Sequence, residues 1–192
     1  MNPIEHIRSF TTLTPEVETE LKSLMQESTY SKGQLIRGAN NLLNYAYYII
    51  SGSARLFYTN MGKEYTVSFI FDDEYIVAPK IYIENQPDTI SIEFLENTTV
   101  IYVPHIKVKD ILEGKALIKN TSGLLFLNVA LMRYNDFLEE RMYMMQNLNA
   151  TQRYNWLIRR HPRILQAATV TQIASYLGLT KETLYRIRHN NY

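Results

Sequence analysis

Hydrophobic and polar positions alternate with a period of two through the centre of the chain. Tyr65, Val67, Phe69 and Phe71 alternate with Glu64, Thr66, Ser68 and Ile70, and Ile90, Ile92 and Phe94 alternate with Ser91, Glu93 and Leu95. Glycine- and asparagine-containing turns separate these runs, as at Ser51-Gly52-Ser53 and Asn60-Met61-Gly62-Lys63. Many short strands divided by turns predict a β-sandwich or barrel of roughly one hundred residues.

The period becomes helical on either side of this region. Thr14 followed by Pro15 is typical of a helix start. The segment 116–147 has no proline, and its apolar residues recur three, four or seven positions apart, as expected for a long helix that pairs with a copy of itself. The residues predicted to form this dimer interface are Leu124, Leu127, Leu131, Tyr134, Leu138 and Met142. A long helix packed only on its own domain is the alternative.

Two short helical patterns follow near the C-terminus, joined by Leu177-Gly178-Leu179-Thr180. Gly178 suits the left-handed end of the first helix, and Thr180 suits the N-cap of the second. The pattern predicts a helix-turn-helix, a motif that places its second helix in the major groove of DNA. An ordinary helical hairpin would share part of the pattern.

The charge distribution favours the DNA-binding interpretation. Residues 150–192 carry seven basic side chains and one acidic side chain, for a net charge of +6, whereas residues 1–149 carry −5. A basic end on an acidic body is suited to contact with phosphate. A solvated basic face is the alternative.

Composition excludes several other classes of protein. The chain has no cysteine, which excludes disulfides and thiolate-held metal clusters. No apolar run is long enough to span a membrane and the first residues do not resemble a secretion signal, so we expect a cytoplasmic protein without membrane contact. The four histidines, His6, His105, His161 and His189, form no close pair, and no metal site, catalytic triad or phosphate-binding loop is expected. We therefore do not expect an enzyme.

The order of these features resembles the Crp/Fnr family of bacterial transcription regulators. The segment Tyr47 to Tyr58 is similar to the family's strand–glycine–strand signature, and Ile173 to Arg188 is similar to its helix-turn-helix. The resemblance is strongest to short members from Bacteroidetes-type bacteria. It implies an α+β fold with a jelly-roll effector domain of the cyclic-nucleotide-binding type over 1–115, a dimerisation helix over 116–147 and a DNA-binding domain over 148–192.

The resemblance places the base-contacting positions on Lys181, Glu182 and Arg186. Arginine and lysine can donate to guanine and glutamate can accept from cytosine, so these residue types fit that role. Further side chains in this region have the chemistry to contact phosphate, which fixes position rather than sequence. These are Thr180, Thr183, Arg188, Arg159 and Arg160.

The stretch that matches the family's phosphate-binding cassette departs from it. Val77-Ala78-Pro79 replaces Gly-Glu-Leu, and Asp88-Thr89-Ile90 replaces the arginine triplet. A carboxylate in place of the arginine reverses the sign of the interaction with a phosphate, and proline removes a backbone donor. Cyclic AMP is therefore not expected, and no cofactor is identified. A pocket for an unknown small-molecule effector would involve Tyr75, Val77, Ala78, Lys80, Asp88 and Thr89, although these residues also suit a simple core.

The sequence thus predicts a homodimeric transcription regulator that reads a pseudo-palindromic site in double-stranded DNA, and the resemblance adds RNA polymerase as a further partner. The alternative is a small-ligand sensor with incidental affinity for DNA. The sequence identifies neither the effector nor the operator, and does not separate activation from repression.

Overall fold

The computed structural model describes residues 3–9, 12–37, 45–76, 90–104 and 121–190, with side chains for all of these except 37, 45, 46, 103, 104, 121–131, 133 and 190. The described chain is a mixed α+β structure, as the sequence predicts. Two short helices, α1 (Pro3–Arg8) and α2 (Pro15–Leu24), come first, followed by strands and then by helices. Thr14 caps α2 by accepting a hydrogen bond from the amide of Val17, and Pro15 begins the helix, so this predicted start is confirmed.

The strands within the described ranges form two four-stranded antiparallel sheets. Their bounds are β1 (Gln26–Tyr30), β2 (Leu35–Arg37), β3 (Tyr45–Ser51), β4 (Ala54–Asn60), β5 (Lys63–Ile70), β6 (Tyr75–Ile76), β7 (Ile90–Phe94) and β8 (Thr98–Pro104). The first sheet has the order β1-β8-β3-β6 and the second has the order β2-β7-β4-β5. Aliphatic and aromatic side chains from both sheets form one core between them, including Ile49, Ile92, Phe94 and Val100, none of which is exposed.

The period-two pattern of β5 changes face along the strand. The register passes from Leu56 opposite Ser68 to Phe57 opposite Thr66, so Val67 is the extra residue of a β-bulge. Beyond the bulge Ile70 lies in the core between the sheets, whereas Phe69 lies on the other face of the second sheet. The aromatic residues of this run therefore do not share one face, because the bulge reverses the side-chain alternation that the sequence predicts.

Five helices follow among the described residues. They are α3 (Thr121–Asn147), α4 (Ala150–Arg160), α5 (Ile164–Ala167), α6 (Val170–Leu177) and α7 (Lys181–Asn190). The predicted start of the long helix at residue 116 lies outside the described residues, and the domain boundaries remain predictions. The spacing of Asn149 and Gln152 along the sequence predicts a capping box at the start of α4. The structure confirms it, because Asn149 accepts from the amide of Gln152, whose side chain in turn accepts from the amide of Asn149.

Helices α4 to α7, here called the C-terminal unit (residues 150–190), pack against the outer face of the second sheet. The two sheets (β1 to β8) and the turns between them are here called the β-domain. Their residues Phe69, Phe71 and Leu95 are buried in the same cluster as Leu157, Ile173 and Leu184 of the C-terminal unit. Leu95 is therefore only 4% exposed, although simple alternation would direct it to solvent. This contact places the C-terminal unit on the β-domain.

Candidate nucleic-acid interface

A tight turn joins α6 to α7. A capping box of Thr169 and Gln172 starts α6, and Gly178 ends it with φ +67° and ψ 35°, the left-handed conformation that glycine adopts most easily. The amides of Gly178 and Leu179 then donate to the carbonyls of Ser175 and Ala174, at 3.2 and 2.9 Å. The predicted helix end at Gly178 is confirmed.

Helix α7 has one buried side and one exposed side. Leu184 and Ile187 are buried against the rest of the unit, whereas Lys181, Glu182 and Arg186 are exposed. Thr180 accepts from the amide of Thr183 at 3.2 Å, as an N-cap does. The helix therefore presents the three predicted base-contacting side chains together to solvent.

Glu182 lies in the first turn of α7. Hydrogen bonding to its own backbone amide lowers the pKa of the Glu182 carboxyl below its usual value, and the Thr180 hydroxyl and the charge of Lys181 lower it further. The side chain is consequently an acceptor at neutral pH. A carboxylate at this position can accept from the amino group of cytosine.

The predicted phosphate contacts lie on two helices. Arg159 and Arg160 are exposed at the end of α4, and Arg160 lies 3.8 Å from Glu140 of α3. Arg188 is half-buried near the end of α7. Thr180 donates to the hydroxyl of Thr183 at 3.1 Å, so the two hydroxyls are also part of the cap. Contact of these side chains with DNA remains a prediction.

One arginine that sequence reasoning missed holds the C-terminal unit to the end of α3. Arg153 donates three hydrogen bonds from its guanidinium, to the carbonyls of Met145 at 2.6 Å, Leu148 at 2.9 Å and Leu177 at 3.2 Å. Its positive charge lies at the C-terminal ends of both α3 and α6, where a cation is favourable. The available signal was the helical spacing, because Arg153 lies four residues before Leu157 and therefore on the same side of α4 as that buried residue.

A polar cluster joins α6 to the second sheet. Arg55 of β4 is 4% exposed and pairs with Glu64 and Glu93 of the neighbouring strands. From α6, Gln172 donates to Glu93 at 3.1 Å, and the Ser175 hydroxyl accepts from the amide of Thr66 at 2.9 Å. Sequence reasoning did not single out Arg55, because alternation along a strand assigns a charged residue between Ala54 and Leu56 to the solvent face.

His161 lies in the same interface, at the end of α4. Its ring stacks on Phe71 of the β-domain with centroids 5.1 Å apart. Burial lowers the pKa of His161 to about 4, and the nearby charge of Arg160 lowers it further. The imidazole is therefore neutral in the folded chain at physiological pH.

Of the predicted effector pocket, only Tyr75 is among the described residues. It stacks on His6 of α1 at 5.5 Å and meets Tyr48 of β3 edge-on at 4.8 Å. Burial raises the pKa of its hydroxyl. The other predicted pocket residues, Val77, Ala78, Lys80, Asp88 and Thr89, lie outside the described residues, so the pocket remains a prediction.

The predicted dimer interface follows α3. Leu138 and Met142 are 42% and 55% exposed, and Tyr134 is half-buried. The side chains of Leu124, Leu127 and Leu131 are not among those described. Two further apolar side chains on this helix, Met132 and Tyr143, are also exposed. A self-association surface along α3 remains a prediction.

No group of three histidine or acidic side chains within the described ranges is placed to hold a metal ion. None of the helices that the structure describes is both long and apolar enough to cross a membrane.

Comparison with known proteins identifies the β-rich part of the chain. Residues 27–115 match the family model of the cyclic nucleotide-binding domain. No curated protein matches the chain in sequence.

Solved structures match over most of the chain. FixK2 from Bradyrhizobium japonicum is 20% identical, with a TM-score of 0.69 over 86% of this chain and 83% of FixK2. CLP from Xanthomonas campestris, a c-di-GMP responsive global regulator, is 11% identical, with a TM-score of 0.64 over 91% of this chain and 89% of CLP. A candidate Crp/Fnr-family regulator from Eubacterium rectale is 15% identical, with a TM-score of 0.64 over 93% of this chain and 83% of its own. The chain therefore has a cyclic-nucleotide-binding type of β-domain and an α+β fold that matches those of Crp/Fnr regulators.

Proposed function

We propose that this protein is a homodimeric transcription regulator that belongs to the Crp/Fnr family and reads a pseudo-palindromic DNA site through α7. The observation that carries the proposal is the exposed face of that helix. Lys181, Glu182 and Arg186 extend from a helix that is held by a tight turn and by two buried side chains, within a segment of net charge +6. The major groove is wide enough to hold such a helix, and its base edges present donors and acceptors to hydrogen-bonding side chains.

Dimerisation supplies the second reading helix. The exposed apolar residues of α3, including Leu138 and Met142, support pairing of two α3 helices because burying them against a second copy removes apolar surface from water. A two-fold axis would then place two α7 helices in successive major grooves about one DNA turn apart. Replacing both residues with glutamate should give a monomer in analytical ultracentrifugation, whereas Glu139→Ala on the same helix should leave the association state unchanged. A Leu138→Glu/Met142→Glu protein that remains dimeric would contradict this interface.

The direct test of DNA reading is selection of binding sites from random duplexes, followed by titration of the selected operator. Arg186→Ala should weaken binding by about 1–3 kcal/mol and relax the preference at one base position. Arg188→Ala is the matched control two residues away. It should weaken all duplexes about equally and reduce the salt slope by about one.

Two results would refute the proposal. One is a wild-type protein that selects no sequence even at low ionic strength. The other is an Arg186→Ala protein whose operator affinity and base preference equal those of the wild type.

We further propose that cyclic AMP does not gate this regulator. The support is chemical, because Asp88 and Pro79 stand where the resemblance places an arginine and a backbone-donating loop. Calorimetric titration with cyclic AMP should show no saturable heat. Binding at micromolar concentration would overturn this part of the proposal.

A ligand sensor with incidental affinity for DNA is the second candidate, and the match of residues 27–115 to a nucleotide-binding domain favours it. A thermal-shift screen with nucleotides separates the two candidates. A large stabilisation by a nucleotide, together with the absence of a sequence-specific DNA complex, would favour the sensor.

A further inference from the structure

Two carboxylates of the β-domain hold one arginine of the C-terminal unit. Arg163, in the turn between α4 and α5, donates from one guanidinium nitrogen to Asp72 at 2.5 Å and from another to Glu96 at 2.8 Å. Asp72 follows β5 and Glu96 follows β7, and both strands pair antiparallel with β4, so the pair, here called the acidic socket, lies at the end of the second sheet where β5 and β7 finish.

The turn between β3 and β4 builds this socket. The second carboxylate oxygen of Asp72 accepts from the amide of Gly52 at 2.7 Å, and Glu96 accepts from the hydroxyl of Ser53 at 2.7 Å. Gly52 has φ +112°, and a Cβ atom at this position would lie 2.4 Å from the side-chain oxygen of Thr98. The glycine therefore allows the turn to approach β8 closely, and both carboxylates are held by hydrogen bonds that do not involve the arginine.

A fixed pair of carboxylates matches the planar guanidinium group, whose donors have a set geometry. A lysine at the same position would present one ammonium group and would not reproduce two separate contacts. The apolar contacts of Phe69, Phe71 and Leu95 bury surface, but they do not by themselves fix the orientation of the C-terminal unit, because hydrophobic contacts are non-directional. Arg163 adds a directional contact at the edge of that apolar patch.

The socket is continuous with the segment predicted to hold an effector. Glu74 accepts from the amide of Phe71 at 2.8 Å and its carbonyl accepts from the amide of Ile49, so the turn at 71–74 is tied to β3. Tyr75, the described member of the predicted pocket, is the next residue along the chain. A structural change at Tyr75 of the predicted pocket would therefore begin one residue away from the turn at 71–74, which contains Asp72.

We propose that Arg163 is a positioning residue, which fixes the orientation of the C-terminal unit by binding the acidic socket. The socket couples the β-domain to the reading helices, because both of its carboxylates belong to the β-domain and its guanidinium belongs to the C-terminal unit. This inference deepens the proposed function and rests on it for the consequence at DNA, but the docking itself is measured without DNA.

Exchange of one backbone amide with solvent deuterium reports docking. Thr66 lies on β5, an edge strand of the described sheet, and its amide donates across the interface to Ser175. In NMR-detected exchange, Arg163→Ala should accelerate Thr66 about fivefold relative to the amide of Ile92 in the sheet centre. The Ile92 amide serves as the reference because it reports unfolding of the β-domain.

Matched variants distinguish loss of the contacts between Arg163 and the acidic socket from loss of one positive charge in the C-terminal unit. Arg159→Ala removes one arginine from the same unit, and the described residues provide Arg159 with no ion pair, so Thr66 exchange should stay as in the wild type. Asp72→Asn/Glu96→Gln should reproduce the effect of Arg163→Ala, and Arg163→Lys should restore only part of the protection. Equal Thr66 exchange in wild type and Arg163→Ala would overturn the socket.

DNA provides the readout that a purely structural role would not change. Arg163→Ala should retain wild-type affinity for a duplex with one half-site and lose about tenfold on the two-half-site operator, because the second reading helix is less well oriented. Unchanged affinity for the full operator, with faster Thr66 exchange, would overturn the positioning role. If no variant and no wild-type protein binds DNA specifically, the proposed function fails while the exchange result still decides the socket.

Discussion

Arg153 should contribute more to stability than any exposed arginine of the C-terminal unit. Its three hydrogen bonds reach the end of α3, the connection at Leu148 and the end of α6. Arg153→Met removes the guanidinium but keeps an unbranched apolar side chain of similar reach. This substitution therefore tests the hydrogen bonds apart from the packing of the stem.

The magnitude follows from the three acceptors. A hydrogen bond that involves a charged group contributes about 1.5–3 kcal/mol. Arg153 is half-buried and its acceptors are carbonyls at helix ends, so water can recover part of the loss in the variant. We expect Arg153→Met to lower the free energy of unfolding by about 2–4 kcal/mol, which is a large part of the 5–15 kcal/mol typical of a domain.

Urea unfolding at fixed protein concentration measures the change. The fluorescence of Trp156, the single tryptophan, reports on α4, and far-ultraviolet circular dichroism tests whether the whole chain unfolds in the same transition. Asn155→Ala, at an exposed position two residues along the same helix, should stay within about 0.5 kcal/mol of the wild type. An Arg153→Met protein with the stability of Asn155→Ala would refute the reasoning.

Three further predictions concern stability. Gly178→Ala should lower the free energy of unfolding by about 1–2 kcal/mol because of the left-handed backbone. Gly62→Ala is the control for backbone strain alone, because Gly62 has φ +75° and no atom lies near its added Cβ, whereas a Cβ at Gly178 would also lie 2.8 Å from the side chain of Met145. A Gly178→Ala protein with the stability of the wild type would be inconsistent with the left-handed turn. For His161 the pKa of the folded state is below the ordinary 6.5, so its contribution is complete above pH 6.5 and is lost as the pH falls towards 4. In urea unfolding, the free energy of unfolding of the wild type should fall between pH 7 and pH 4.5 by about 2–3 kcal/mol more than that of His161→Phe. An equal fall in both proteins would exclude the histidine as the source of this pH dependence. Asn149→Ala should cost about 1 kcal/mol by loss of the N-cap, and thermal unfolding unchanged by this substitution would contradict the capping geometry.

Local chemistry made several elements predictable from the sequence. Thr14 with Pro15, Asn149 with Gln152, and Gly178 each determine a helix end through bonds or backbone angles within a few residues. Such helix ends can be predicted without knowledge of the tertiary structure, because the donor and the acceptor lie close together along the chain. The family resemblance singled out Lys181, Glu182 and Arg186 on α7, and their exposure follows from helical periodicity because Leu184 and Ile187 occupy the buried side.

The contacts between the β-domain and the C-terminal unit were not predictable in that way. Arg163 and Asp72 are 91 positions apart, and Ser175 and Thr66 are 109 apart. Nothing local indicates that these residues meet, and the bulge at Val67 reverses the face on which Phe69 lies. Burial of the outer face of the second sheet is thus a tertiary property, and sequence alternation alone assigns that face to solvent.

Both capping boxes of the C-terminal unit use glutamine where many helices use glutamate. Gln152 and Gln172 accept from the amides of Asn149 and Thr169 through an uncharged amide group. Glutamate in place of Gln152 would close the first box equally well, but it would add a negative charge to the start of α4. Glutamate in place of Gln172 would also lose the hydrogen bond to Glu93 and put a second carboxylate beside it, so that position requires a neutral donor. If the proposed function holds, the neutral side chain of Gln152 spares an approaching duplex from repulsion, so Gln152→Glu should be tolerated in folding assays and selected against in reporter assays.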